Sequence, residues 1–278
     1  MESFVRRNQP LNELLNRTFK RLALLLLVLA VVFCGAMGQP APRLRAAGDE
    51  ITVSAAISLK DVLDEISGLY RADNPEVTIH FNLGASGTLQ RQIEEGAPVD
   101  LFISASSNQM DSLASHTLIL TDTRKDLVKG SIVLIAPEGR ASITGFQDLV
   151  RPEVKVIAIG DPQTVPAGKY AQEVLTHFGL YDKLKPKFVL AKDVRQVLTY
   201  VETGNADAGI VYLTDARTSS RVSVITTAPE DSHSPVVYPV AIIAGSKNVA
   251  AAKAFEEFLL GPKASAVFKK YGFVPAAR

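Results

Sequence analysis

From Ile51 onward, short β-branched apolar runs alternate with stretches whose apolar positions recur every three or four residues. Ile51–Ala55 reads as a strand, and Ser58–Arg71 follows with Leu59, Val62, Leu63, Ile66 and Leu69 at helical spacing. Val77–Leu83 alternates Val77, Ile79, Phe81 and Leu83, the period of a half-buried strand. Leu89–Glu95 is a short helix and Leu101–Ser104 a buried strand. A second unit of the same kind runs through Val154–Ile159, helix Ala167–Phe178, Lys187–Leu190, helix Val194–Glu202 and strand Ala208–Tyr212. Strand–helix alternation predicts parallel strands covered by helices.

Two further runs, Ser131–Ala136 and Val236–Ala244, are strongly β and stand on either side of the second unit, so they read as crossings from one lobe to the other. Pro239 falls inside the second run; a proline is poorly tolerated in a central strand, so the strand starts or bends there. Helices Val249–Leu260 and Pro262–Tyr271 close the chain and return to the first lobe. The expected architecture is α/β, two lobes, each a mixed and mostly parallel sheet flanked by helices, with two hinge crossings. Lobe 1 comprises residues 49–130 with 238–278, and lobe 2 residues 131–237.

The first 38 residues follow a different pattern. Leu22–Cys34 is an uncharged apolar run of 13 residues preceded by Lys20 and Arg21. A membrane span needs about 20 such residues, so the run fits the core of a secretory signal. Ala36-Met37-Gly38 offers a small-residue cleavage site after Gly38. The alternatives are a retained anchor, or lipidation at Cys34, against which Phe33 stands where a small residue is usual. Periplasmic export is the expectation. The split also changes the meaning of the net charge of +1. Five of 30 basic and two of 29 acidic residues lie in the first 38, leaving 25 against 27 in the rest. A chain so balanced is not a basic nucleic-acid binder. Cys34 is the only cysteine, which excludes an internal disulfide and a cysteine-cluster metal site.

Candidate chemistry lies at the strand-to-helix turns. Ser58 stands before Leu59-Lys60-Asp61 as an N-cap, and Ser86 sits in the glycine-rich turn Gly84-Ala85-Ser86-Gly87-Thr88. Pro166-Ala167-Gly168 places proline in a first helical turn, and Asp193-Val194-Arg195 opens another helix. Each helix start presents unpaired N–H groups and a positive dipole end. Four of them facing one cleft would hold an anion without a formal counter-charge. Read singly, each is also an ordinary cap or turn, and Tyr212 an ordinary packed tyrosine. Enzyme motifs are mostly absent. Gly84–Thr88 lacks the last glycine of a nucleophile elbow and the lysine of a phosphate loop. His80, His116, His177 and His233 have no metal-ligand spacing.

Taken in order, several stretches resemble the periplasmic molybdate-binding proteins of ABC transporters, in the type II solute-binding fold. They are Ala55–Leu59, Gly84–Leu89, Gly96–Ala105, Gly160–Pro162 through Val165–Gly168, and Asp193–Arg195. Gly209–Tyr212, Glu230–His233, Tyr238–Ala241 and Tyr271–Phe273 complete the set, and the likeness covers about residues 51–274. The resemblance implies a molybdate or tungstate ion held between the lobes. The hydroxyls and N–H groups of Ser58 and Ser86 would hold it from lobe 1. The backbone N–H groups of Ala167 and Val194 and the hydroxyl of Tyr212 would hold it from lobe 2. Ile57 and Lys192 depart from the family pattern beside these residues. No cofactor, no direct protein–metal ligand and no catalytic residue is implied. The partner would be a membrane permease, and the protein a monomer that closes by hinge motion. An exported hydrolase using Ser86 and an oxyanion sensor of the same fold are the alternatives from other classes.

Overall fold

The computed structural model describes residues 50–276 apart from residue 141. The expected signal segment, with Cys34, lies outside the described residues.

Two sheets are formed. The first contains β1 (Glu50–Ala56), β2 (Thr78–Gly84), β3 (Leu101–Ile103), β4 (Lys125–Lys129), β10 (Val237–Ile242) and β11 (Val274–Pro275), in the order β11-β4-β10-β3-β1-β2. The second contains β5 (Ile132–Pro137), β6 (Ile157–Gly160), β7 (Phe188–Ala191), β8 (Ala208–Tyr212) and β9 (Val222–Thr227), in the order β7-β6-β8-β5-β9. Each sheet is built around a parallel trio, β2-β1-β3 and β7-β6-β8. In each, the strand that follows a lobe crossing runs antiparallel beside the trio: β10 against β3, and β5 against β8. Most strands of each sheet therefore point one way, although only two neighbouring pairs in each sheet are parallel and the rest are antiparallel.

Ser131–Ala136 and Val236–Ala244 are not themselves the crossings. The strands they form belong each to one sheet, and the chain changes lobes just before them, between Lys129 and Ile132 and between Thr227 and Val237. The two crossings are joined, since Gly130 N donates to Val236 O at 3.0 Å. Pro239 does bend its strand: the pairing of β10 with β4 shifts register between Tyr238 and Pro239. Proline has no N–H to give the ladder, so a central strand accommodates it at a bulge.

Helices cover the sheets with the faces that the apolar spacing predicts. In α1 (Lys60–Asp73), Val62, Leu63, Ile66 and Tyr70 are buried. Leu69 is 39% exposed instead, because the i, i+4 row from Ile66 continues to Tyr70. The Tyr70 ring meets Phe255 and Phe258 of α8 (Val249–Leu259) at 5.0 and 5.1 Å, which fastens the C-terminal helices to the first lobe. In the second lobe, α6 (Val194–Glu202) buries Val194, Val197, Leu198 and Val201 along one stripe. Burying such a side chain stabilises by about 1.5–3 kcal/mol. The remaining helices are α2 (Ser86–Glu94), α3 (Ser107–Ser115), α4 (Pro166–His177), α5 (Tyr181–Leu184), α7 (Leu213–Ala216) and α9 (Pro262–Lys270).

Candidate functional site

All three strands of each parallel trio end at one place. The turns after β1, β2 and β3 bring Ser58, Ser86 and Ala105, those after β6 and β7 bring Ala167 and Val194, and β8 ends on Tyr212 itself. Carboxyl ends of parallel strands are where open α/β sheets bind ligands. The five candidate residues surround one cavity, together with Ala56, Ile57, Ala85 and Pro166. Its volume is ≈ 10 Å³ of space open to the centre of a water-sized sphere, room for about one such sphere. No charged side chain lines it among the described residues.

The donors are arranged as follows. Ala167 and Val194 occupy first turns, of α4 and α6, whose N–H groups have no acceptor within their own helix. Pro166 leads α4 into that position without sacrificing a bond. Asp193 caps α6 by accepting from Gln196 N at 2.8 Å, which leaves the Val194 N–H to the cavity. Gly168 allows the start of α4 to lie against the end of β6, since a Cβ there would collide with the Gly160 carbonyl. Tyr212 is fully buried. Burial first, then the charges of Tyr238, Tyr170 and Asp215, push its phenol well above the ordinary tyrosine value, so it remains a donor.

Two expectations about local structure are corrected. Ser58 does not cap a helix. It lies inside the 3₁₀ turn Ile57–Leu59, which runs directly into α1, and its hydroxyl meets the Tyr238 hydroxyl at 3.3 Å. Ser86 begins α2 three residues before Leu89, because Thr88 N and Leu89 N both donate to Ala85 O and make the glycine-rich turn helical. The Ser86 hydroxyl accepts from Ala105 N at 3.0 Å. Ile57 forms part of the cavity wall and Lys192 is exposed. The histidines stay apart: His80 lies 3.8 Å from Glu50 and His116 3.7 Å from Glu94, both at the surface.

Two neighbours were not among the candidates. The Ala105 carbonyl is approached by the Tyr170 and Tyr212 hydroxyls at 3.5 Å each. Tyr238 is wholly buried behind Ser58. Both lie in stretches that carry the family resemblance, the end of Gly96–Ala105 and the start of Tyr238–Ala241.

The lobes meet around the cavity. Gly87 N donates to Thr164 O at 3.0 Å on one side. Arg195 Nη2 donates to Asp61 Oδ2 at 2.6 Å on the other.

Residues 51–274 match the family described as bacterial extracellular solute-binding protein. The molybdate-binding protein ModA of Escherichia coli is 42% identical over 251 residues, 87% of this chain and 96% of that protein. ModA of Haemophilus influenzae is 41% identical over 234 residues, covering 82% and 91%. The solved periplasmic molybdate-binding protein of Azotobacter vinelandii superposes with a TM-score of 0.74 at 27% identity, over 82% of this chain and all of that one. On a match that spans both lobes, the chain belongs to the bacterial extracellular solute-binding protein family.

Proposed function

We propose that the chain binds molybdate between its lobes, accepts tungstate as a close analogue, and delivers the ion to the membrane permease of an ABC transporter. The observation that carries this reading is that six strand ends converge on one cavity and five of them bring an uncharged donor to it. Two relatives at 41 and 42% identity are named for molybdate, and their likeness covers both donor-bearing lobes. Ser58, Ser86, Ala167, Val194 and Tyr212 would supply hydroxyls and N–H groups to a tetrahedral dianion. Hydrogen bonds to a charged group contribute about 1.5–3 kcal/mol each. Five or six of them would offset desolvation and leave the roughly −8 kcal/mol that micromolar binding needs. Such a site selects a fully deprotonated ion, because a donor set offers nothing to a ligand proton. A smaller oxyanion would leave some donors out of reach. Binding of this kind takes no cofactor.

Ser86 serves this role better than that of a nucleophile. Its hydroxyl is engaged by the Ala105 N–H, and no histidine or carboxylate among the described residues hydrogen-bonds to it. Opening at Gly130 and at residues 228–236 would admit the ion, and closure would present the loaded form to the permease. The mature chain would work in the periplasm after loss of residues 1–38. Calorimetric titration with molybdate, tungstate, sulfate and phosphate tests the reading. Heat with molybdate and tungstate is expected. No heat with any of the four would overturn the function, and equal affinity for sulfate would overturn selection by size.

A further inference from the structure

Ser58 faces a problem that its position alone does not solve. A serine hydroxyl carries one proton and can rotate. It becomes a dependable donor only when something else occupies its lone pair. The group that does so here is Tyr238. Its hydroxyl lies 3.3 Å from Ser58 Oγ, and its side chain has no exposed surface. Tyr238 does not line the cavity, so it reaches the ligand only through residues that do, Ser58 among them.

The fold aims Tyr238 at this point. The register shift between Tyr238 and Pro239 turns the strand just where the ring leaves it. Gly130, in the first crossing, leaves the ring room, since a Cβ there would stand 3.3 Å from Tyr238 Cε2. The ring is wedged between Tyr212 and Phe273, with centroids at 5.6 and 5.4 Å. Burial, with the charge of Asp215 behind it, holds the phenol proton on well above the ordinary tyrosine value. A buried phenol that keeps its proton must donate it; the Ser58 Oγ at 3.3 Å and the Tyr212 hydroxyl are the acceptors it meets.

We propose that Tyr238 is a positioning residue of the oxyanion site: its hydroxyl donates to Ser58 Oγ and thereby turns the Ser58 proton into the cavity. A chain of two hydrogen bonds, Tyr238 to Ser58 to oxyanion, also polarises along its length, which strengthens the bond to the ion. The inference rests on the molybdate reading above.

The test is a double-mutant cycle read by molybdate titration of the unaltered chain, Tyr238→Phe, Ser58→Ala and the double variant. Y238F is expected to weaken binding roughly tenfold in the unaltered background and by less than about twofold in the S58A background. A purely structural role for the ring would cost the same in both backgrounds, and that result overturns the inference, as does Y238F binding with full affinity. In those two outcomes the unaltered chain still binds, so the molybdate reading stands; silence from the unaltered chain overturns both. Should Y238F fail to fold, the Tyr238 hydroxyl proton is followed by NMR in molybdate-loaded protein. A slowly exchanging resonance that S58A abolishes is expected, and one that S58A leaves in place overturns the inference.

Discussion

Arg195 of α6 reaches across the cleft to Asp61 of α1, Nη2 to Oδ2 at 2.6 Å, while its Nε lies 2.5 Å from Asp215 Oδ1 within its own lobe. Arg195 follows Val194 directly, and Asp61 stands three residues after Ser58. The ion pair therefore ties together the two turns that carry Ser58 and Val194 at the cavity, one from each lobe. Asp215 is fully buried, and burial raises its carboxyl to about 6 against the opposing pull of Arg195. The guanidinium is thus anchored in the second lobe and offers a fixed fork to the first.

The first prediction concerns that tie. Asp61→Asn removes the charge that crosses the cleft while keeping the side chain's shape. Both partners are partly exposed, so the loss is worth about 0.5–1 kcal/mol, or roughly two- to fivefold in molybdate affinity. The pair is made only when the lobes are together, so stopped-flow should show faster release with a nearly unchanged on-rate. Raising the salt concentration should shrink the difference between the variant and the unaltered chain.

On the opposite side, Gly87 N donates to Thr164 O, and a Cβ on Gly87 would stand 2.6 Å from that oxygen. The colliding atom is backbone and cannot rotate aside. Gly87→Ala should therefore hold the lobes apart without disturbing either core. Expected are a loss of molybdate affinity of roughly tenfold or more, a larger radius by small-angle scattering in the presence of ligand, and an unchanged melting temperature without it.

These contacts mark what was legible in the chain. Strands with strong β-branched runs and helices with a full apolar stripe were readable, α6 and β8 to the residue. Weakly patterned elements were not. β4 carries Leu127 and Val128 between charged residues, and α3 buries only Met110 and Leu113. β9 is a sheet edge on which Val224 is 43% exposed, so no alternation marks it. That Ser86, Ala167 and Val194 line the cavity followed from helix starts, because such chemistry is local, whereas Ser58 and Tyr212 rest on resemblance, since the cap expected at Ser58 does not form. The tie from Arg195 to Asp61 and the contact from Tyr238 to Ser58 join residues 134 and 180 positions apart, and no local pattern encodes them.

Ser86 supplies a direct test of the donor set. Its hydroxyl accepts from Ala105 N at 3.0 Å, which leaves its own proton free to point elsewhere. Ser86→Ala removes the donor to the ion and orphans the Ala105 N–H. Titration should show molybdate binding weakened roughly tenfold, about 1.4 kcal/mol, with tungstate affected equally. Unchanged affinity would remove Ser86 from the site.

Glu256, far from the cleft on α8, governs stability rather than binding. It is 4% exposed, and its Oε1 has no hydrogen-bond partner. Burial is the main reason its carboxyl rises to about 7, with the charge of Lys125 pulling the other way. An unfolded glutamate titrates near 4.3, so the folded state holds its proton where the unfolded state has lost it. Stability from this group is therefore complete below about pH 4 and is lost progressively as pH rises to about 7. Glu256→Gln keeps the volume and stays neutral at every pH. It should stabilise the fold at pH 8 by about 2 kcal/mol, or roughly 4–8 °C in Tm, with a smaller gain at pH 5. Calorimetric melts at the two pH values check the sign, and an equal gain at both would trace the effect to packing instead of ionisation.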